Sequence, residues 1–96
     1  GVIAKFTATW CGPCKKIAPV VDKYFEQMKD TYTICNIDVD DNFDLYAFMK
    51  SKKMTNGIPT ILYYKQGNSN FVPDASISGG NIENVENFFK SILNNK

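Results

Sequence analysis

Apolar and polar positions along this chain change their period several times, and each change marks an element. Val2 to Ala8 is an apolar, partly β-branched run of the kind that forms a buried strand. From about Cys11 to Lys29 the period lengthens: Ile17, Val20, Val21, Tyr24, Phe25 and Met28 recur at helical spacing, which predicts a helix with one face on a sheet. Pro13 suits the first turn of that helix. Pro19 removes an interior hydrogen bond and predicts a kink without an end, because the pattern resumes at Val20. Tyr32 to Val39 predicts a second strand, and Asp40-Asp41-Asn42 then supplies caps for a short helix carrying Phe43, Leu45, Ala47, Phe48 and Met49. Strand, helix, strand, helix is the rhythm of a parallel pair.

The second half reads differently. Asn56-Gly57-Ile58-Pro59 is a turn that leads into a strand at Thr60 to Lys65, and Gln66 to Asn70 turns the chain back into a strand at Phe71 to Ser78. This predicts a hairpin in which Pro73 marks a bulge or an edge. After Gly79-Gly80, Asn81 caps a last helix whose Ile82, Val85, Phe88, Phe89, Ile92 and Leu93 form one apolar stripe. Repeats, linkers and low-complexity tracts are absent, so residues 1–96 are expected to form one domain.

Composition narrows the function classes. With 44% apolar and 14% aromatic residues in 96, a filled core is expected. A formal charge of +1 from 11 basic and 10 acidic residues gives no footprint for nucleic acid or an anionic membrane. No apolar stretch approaches a membrane span, and no targeting segment is recognisable. Three cysteines make an odd count, so they form no closed disulfide framework, and a C-x-x-C pair within an alternating strand and helix pattern favours a reducing compartment, the cytoplasm.

The chemistry centres on Trp10-Cys11-Gly12-Pro13-Cys14, at the junction of first strand and first helix. Two cysteines two residues apart can close a small disulfide. A sulfur at a helix N-terminus lies among unsatisfied N–H donors and the positive end of the macrodipole, which makes the thiol more acidic. A free cysteine near pKa 8.5 is only about 3% thiolate at pH 7, and the thiolate is the nucleophile. A zinc site is disfavoured, since structural zinc takes four Cys or His ligands and only Cys35 remains, with no histidine. Asp38-x-Asp40-x-Asn42-x-Asp44 opens like a calcium loop, but Phe43 stands where glycine is expected and Met49 where a bidentate glutamate belongs. Cys35 reads as a small buried apolar residue, and Lys15 and Lys16 as a solvated charge pair.

The W-C-G-P-C-K motif, the downstream Ile58-Pro59-Thr60 and the element order together resemble the thioredoxin family over essentially the whole chain. The resemblance implies an α/β fold with a central mixed sheet flanked by helices. It implies Cys11 as attacking thiol, Cys14 as resolving thiol, and a cis Ile58–Pro59 bond beside them, with the backbone at Ile58 turned to pair with a substrate peptide. Trp10, Gly12, Pro13, Ile58 and Pro59 would then form the motif and substrate-binding surface. The implied activity is thiol–disulfide exchange on disulfide-containing protein substrates, by a monomer with no bound cofactor and no metal, regenerated by a flavin-dependent thioredoxin reductase using NADPH. The alternative is a non-catalytic subunit that docks partners through the surface around Trp10 and Pro59. An oxidase or isomerase of the same fold is a further rival, which a reduction potential would separate.

Three departures from the family pattern carry expectations of their own. The usual first strand and helix ahead of Val2 are not in this sequence: either they have been trimmed, or the sheet keeps four strands and Tyr32 to Val39 becomes an exposed edge. The hairpin turn from Gly67 to Pro73 is longer than usual, a change that surface turns tolerate. Finally, Lys5 occupies the position where the family usually places a buried aspartate that exchanges a proton with the resolving thiol. A buried Lys5 would act as a neutral base, a charged one would favour the Cys14 thiolate, and one that snorkels to water or pairs with Asp38 would leave water as the acceptor.

Overall fold

The computed structural model describes residues 1–94. The elements are β1 (Val2–Thr7), α1 (Gly12–Met28), β2 (Thr33–Asp38), α2 (Phe43–Ser51), β3 (Thr60–Tyr64), β4 (Ala75–Ser78) and α3 (Ile82–Asn94). The strands form one mixed sheet in the order β2-β1-β3-β4, with β1 parallel to β2 and antiparallel to β3, and β4 antiparallel to β3. The expected α/β architecture and its parallel pair are therefore present. β2 pairs only with β1 among the described residues and is an edge. Cys35 on it is for that reason only partly buried, not the core residue its β-branched setting suggested.

Strand alternation sends successive side chains to opposite faces, and helices cover both. On one face Ile3 and Ile61 pack with Ile17, Val21, Phe25 and Met28 of α1 and Val85, Phe89 and Ile92 of α3. Phe89 stacks on Tyr24 at a centroid distance of 4.8 Å and meets Phe25 edge-on at 5.8 Å. On the other face Phe6 and Leu62 pack with Met49 of α2, Ala8, Val39 and the two cysteines of the motif. α1 runs unbroken through Pro19, whose ring faces solvent, so the hydrogen bond lost there lies on the wet side of the helix.

Two elements differ from the expectations. β4 begins at Ala75, not Phe71, because side chains in the preceding turn take the backbone groups a ladder would have used. Asp74 Oδ2 accepts from the Lys65 N–H at 2.7 Å and from Asn68 Nδ2 at 2.9 Å, while Asn68 Oδ1 and Asn70 Oδ1 accept from the backbone N–H groups of Asn70 and Val72. Pro73 thus sits in a loop before the strand. In α2 Asn42 is the N-cap, but its amide donates to the Asp38 carbonyl at 3.0 Å and makes no side-chain cap. Of the apolar residues on that helix only Met49 is buried, and Phe43, Leu45 and Phe48 are exposed. Asn81 caps α3 as expected, its Oδ1 accepting from the Asn84 N–H at 2.9 Å.

Candidate active site

β1 ends at Thr7, and the chain turns at Thr9-Trp10 before α1 starts at Gly12, so Cys11 is the N-cap residue of α1. Its extended backbone, φ −86° and ψ 109°, aims the side chain back over the first turn. There the Cys14 N–H donates to Cys11 Sγ at 3.1 Å, a bond that serves in place of the usual oxygen cap. Pro13 at the second helical position has no N–H to leave unsatisfied. Cys11 and Cys14 are joined by a disulfide, with Cα atoms 5.3 Å apart, and are only 4% and 6% exposed. Once the bond is reduced, the N–H donor and the helix terminus both favour the thiolate of Cys11 over the thiol.

Beside the disulfide, Trp10 is 65% exposed, and its indole N–H donates to Asp40 Oδ2 at 2.8 Å. Asp40 is held in turn by its own N–H, which donates to Asp38 Oδ1 at 2.8 Å. The acidic run that opened like a calcium loop is therefore used for a turn and for seating Trp10. Asp40 was not legible as a site residue, since nothing in its local pattern links it to a tryptophan thirty positions earlier.

The Ile58–Pro59 bond is cis, as the resemblance implied, and Ile58 packs against the cluster that holds both cysteines. Pro59 is fully buried and its carbonyl accepts from the Gly79 N–H at 2.9 Å. Gly79 has φ +99°, a conformation that favours glycine. The buried Thr60 hydroxyl donates to the Gly57 carbonyl at 2.6 Å and lies 2.9 Å from Ser78 Oγ, tying the turn before β3 to β4. Gly79 and Gly80 escaped the sequence reading as site residues, because only the pairing of β3 with β4 brings them beside Pro59 and Pro13.

Lys5 is not drawn into this group. Its Nζ lies 5.7 Å from the centroid of the Phe25 ring, three turns along α1 from Cys14, and the acid it senses is Asp22. Burial pushes its amine below the ordinary value of 10.5, and Asp22 opposes that shift. Asp38, one candidate partner for Lys5, is engaged with the Asp40 N–H instead. Lys15 and Lys16 are exposed, as a solvated pair should be.

Comparison with known proteins agrees with this geometry. The thioredoxin family model matches residues 1–92. Thioredoxin-2 of Saccharomyces cerevisiae is 41% identical over 66 residues, which cover 69% of this chain and 59% of that protein. The Gallus gallus thioredoxin is 37% identical over 92 residues, covering 96% of this chain and 79% of that one. Among solved structures, a wild-type thioredoxin h from poplar superposes with a TM-score of 0.75 at 27% identity, covering 99% of this chain and 78% of the other. The matched part spans about three-fifths of the length of the first curated relatives. With a fold, a disulfide at a helix N-cap and a family match over residues 1–92 in agreement, the chain belongs to the thioredoxin family.

Proposed function

We propose that this chain catalyses thiol–disulfide exchange, reducing disulfides in protein substrates. The observation that carries the reading is the Cys11–Cys14 disulfide at the N-cap of α1, with the Cys14 N–H on Cys11 Sγ. In the reductive direction the Cys11 thiolate attacks one sulfur of a substrate disulfide. A mixed disulfide forms and the substrate's other sulfur leaves as thiolate, to be protonated by water. Cys14 then loses its proton to water and attacks Cys11 Sγ, which releases the second substrate thiolate and leaves Cys11–Cys14 oxidised. Two electrons pass from the pair to the substrate.

Trp10, Gly12, Pro13 and the partly exposed Ile58 form the surface a substrate peptide meets, with Pro59, which the resemblance had put on that surface, buried beneath it as its support, and the Ile58 backbone pairs with the peptide as a strand edge would. A thioredoxin reductase, or another dithiol, returns the pair to the reduced state, and the cytoplasm is the compartment in which that cycle runs. Exposure of Trp10 also suits a docking module without turnover, and one assay separates the two. Reduced wild type is expected to reduce insulin disulfides catalytically, Cys11→Ser to lose that activity, and Cys14→Ser to accumulate mixed disulfides on Cys11 that identify the substrates. Partner binding unchanged in Cys11→Ser, with no turnover by wild type, would establish the docking module instead.

A further inference from the structure

The connection from β4 to α3 comes close to the disulfide loop at Gly80. A Cβ built on Gly80 would lie 2.9 Å from Pro13 Cβ, 3.3 Å from Pro13 Cα and 3.5 Å from the Pro13 carbonyl oxygen. The first distance is shorter than a Cβ contact can be, the second is tight and the third is ordinary van der Waals contact, so the conflict is with the Pro13 ring carbon, and a proline ring cannot swing aside. Gly79 and Gly80 therefore differ in kind. Gly79 needs its positive φ, whereas a side chain at Gly80 is barred by space alone. Gly12, by contrast, has no neighbouring atom of the described residues within 4 Å of a built Cβ.

Pro13 is the residue between the two sulfurs that receives this contact, and the next N–H along the chain is the one that donates to Cys11 Sγ. We infer that Gly80 is a positioning residue for Cys11: its bare backbone braces Pro13, which holds the Cys14 N–H on the sulfur and keeps the thiol acidic. The inference rests on Cys11 being the attacking thiol. Gly79 anchors the same brace on the other side through its bond to the Pro59 carbonyl. A side chain at Gly80 must displace Pro13, which carries the Cys14 N–H off the sulfur, or displace the connection, which withdraws the brace and frees Pro13 to shift. The charged groups around Cys11 stay as they are. Lys15 and Lys16 on α1 are exposed, Asp38 and Asp40 are engaged with a backbone N–H and the Trp10 indole, and Asp41 is exposed. Lys5 on β1 lies against Phe25. Residues 54–59 carry no titratable side chain, and the first one after β4 is Glu83.

The test is alkylation of the reduced protein by iodoacetamide between about pH 5 and 10, with the modified cysteine mapped by mass spectrometry. It is run on wild type, Gly80→Ala, Pro13→Gly and the double variant, each checked by circular dichroism. Gly80→Ala is expected to move the Cys11 midpoint alkaline by about half a pH unit, which lowers the rate below the midpoint by about threefold. In the Pro13→Gly background, where the Cβ that meets Gly80 is gone, the same substitution is expected to move it no further. An unchanged midpoint in Gly80→Ala, or an equal shift in both backgrounds, overturns the brace. Should Gly80→Ala not fold, an unchanged midpoint in Pro13→Gly alone overturns it. First alkylation at Cys14 in wild type would sink the premise about the attacking thiol and not the contact itself.

Discussion

A lysine amine partly buried against a phenylalanine ring carries a cost at neutral pH that a hydrocarbon would not. Lys5 is held below its ordinary 10.5 by burial, with Asp22 opposing. An unfolded chain therefore keeps the proton at pH values where the folded one has lost it. Stability from this group is lowest where both states are charged, and rises between the depressed folded value and 10.5. Tyr63 and Tyr64, raised by burial from their ordinary 10.0, pull the other way from that value upward, where the two windows meet, so the contribution of Lys5 is read from the difference between two proteins. Lys5→Met is expected to gain roughly 0.5–1 kcal/mol at pH 7 in urea titrations and to lose the alkaline rise relative to wild type. With the ammonium beside Phe25, its pH profile for mixed-disulfide resolution should overlay that of wild type; a displaced profile would return Lys5 to the proton pathway. The position of Lys5 on a strand was legible in the sequence, but the path of a four-carbon side chain was not, because several directions satisfy its ammonium and only the packed α1 selects one. Thr55 offers a companion case. Its buried hydroxyl has no hydrogen-bond partner among the described residues, and Thr55→Val is expected to raise stability by about 1 kcal/mol in the same titration.

Among the elements, those with a long hydrophobic period were legible and those decided by side-chain hydrogen bonds were not. α1 and α3 follow from their apolar stripes, and Asn81 caps α3 where the pattern placed it. Phe71 and Val72 read as strand by composition, yet Asn68, Asn70 and Asp74 capture the local backbone donors, and a contest between ladder and turn leaves no trace in hydrophobicity. The Lys65 N–H and the Asn68 amide hold the Asp74 carboxyl below its ordinary 3.8, so the loop is ordered above that value and loosens as pH falls through the depressed one. Asp74→Ala is expected to speed amide hydrogen exchange at Lys65 and Asn70 at neutral pH. Insulin reduction should be unchanged, because Tyr64 pairs with Val2 at the end of the sheet away from Thr60 and the cysteines. Exchange at Lys65 as slow as in wild type would mean that the loop is held by the Tyr64 hydroxyl on the Phe71 carbonyl instead.

At the scale of the whole molecule, the sheet separates two packed faces, of which one carries the disulfide and the other does not. The motif, the element order and the two long helices made this architecture legible. What they left open was which face each short element would serve, since α2 buries little more than Met49 and β2 has one partner strand among the described residues. Neighbouring residues of β3 turn the division into a measurement. Ile61 is 1% exposed and packs under α1 and α3, whereas Leu62, fully buried one position later, packs against Cys11 and Cys14. Truncating either leaves a cavity, so Ile61→Ala and Leu62→Ala should each cost about 2–5 kcal/mol, a large share of the roughly 5–15 kcal/mol of a small domain. Their chemistry should part company. Leu62 belongs to the buried cluster that holds both cysteines, so Leu62→Ala is expected to slacken the Cys14 N–H contact and move the Cys11 alkylation midpoint alkaline, while Ile61→Ala leaves it in place. Urea titration and iodoacetamide profiles on the same two proteins decide the matter. Equal displacement by both would show that the sheet transmits strain from either face to the sulfur, and that the division between stabilising and reactive faces does not hold.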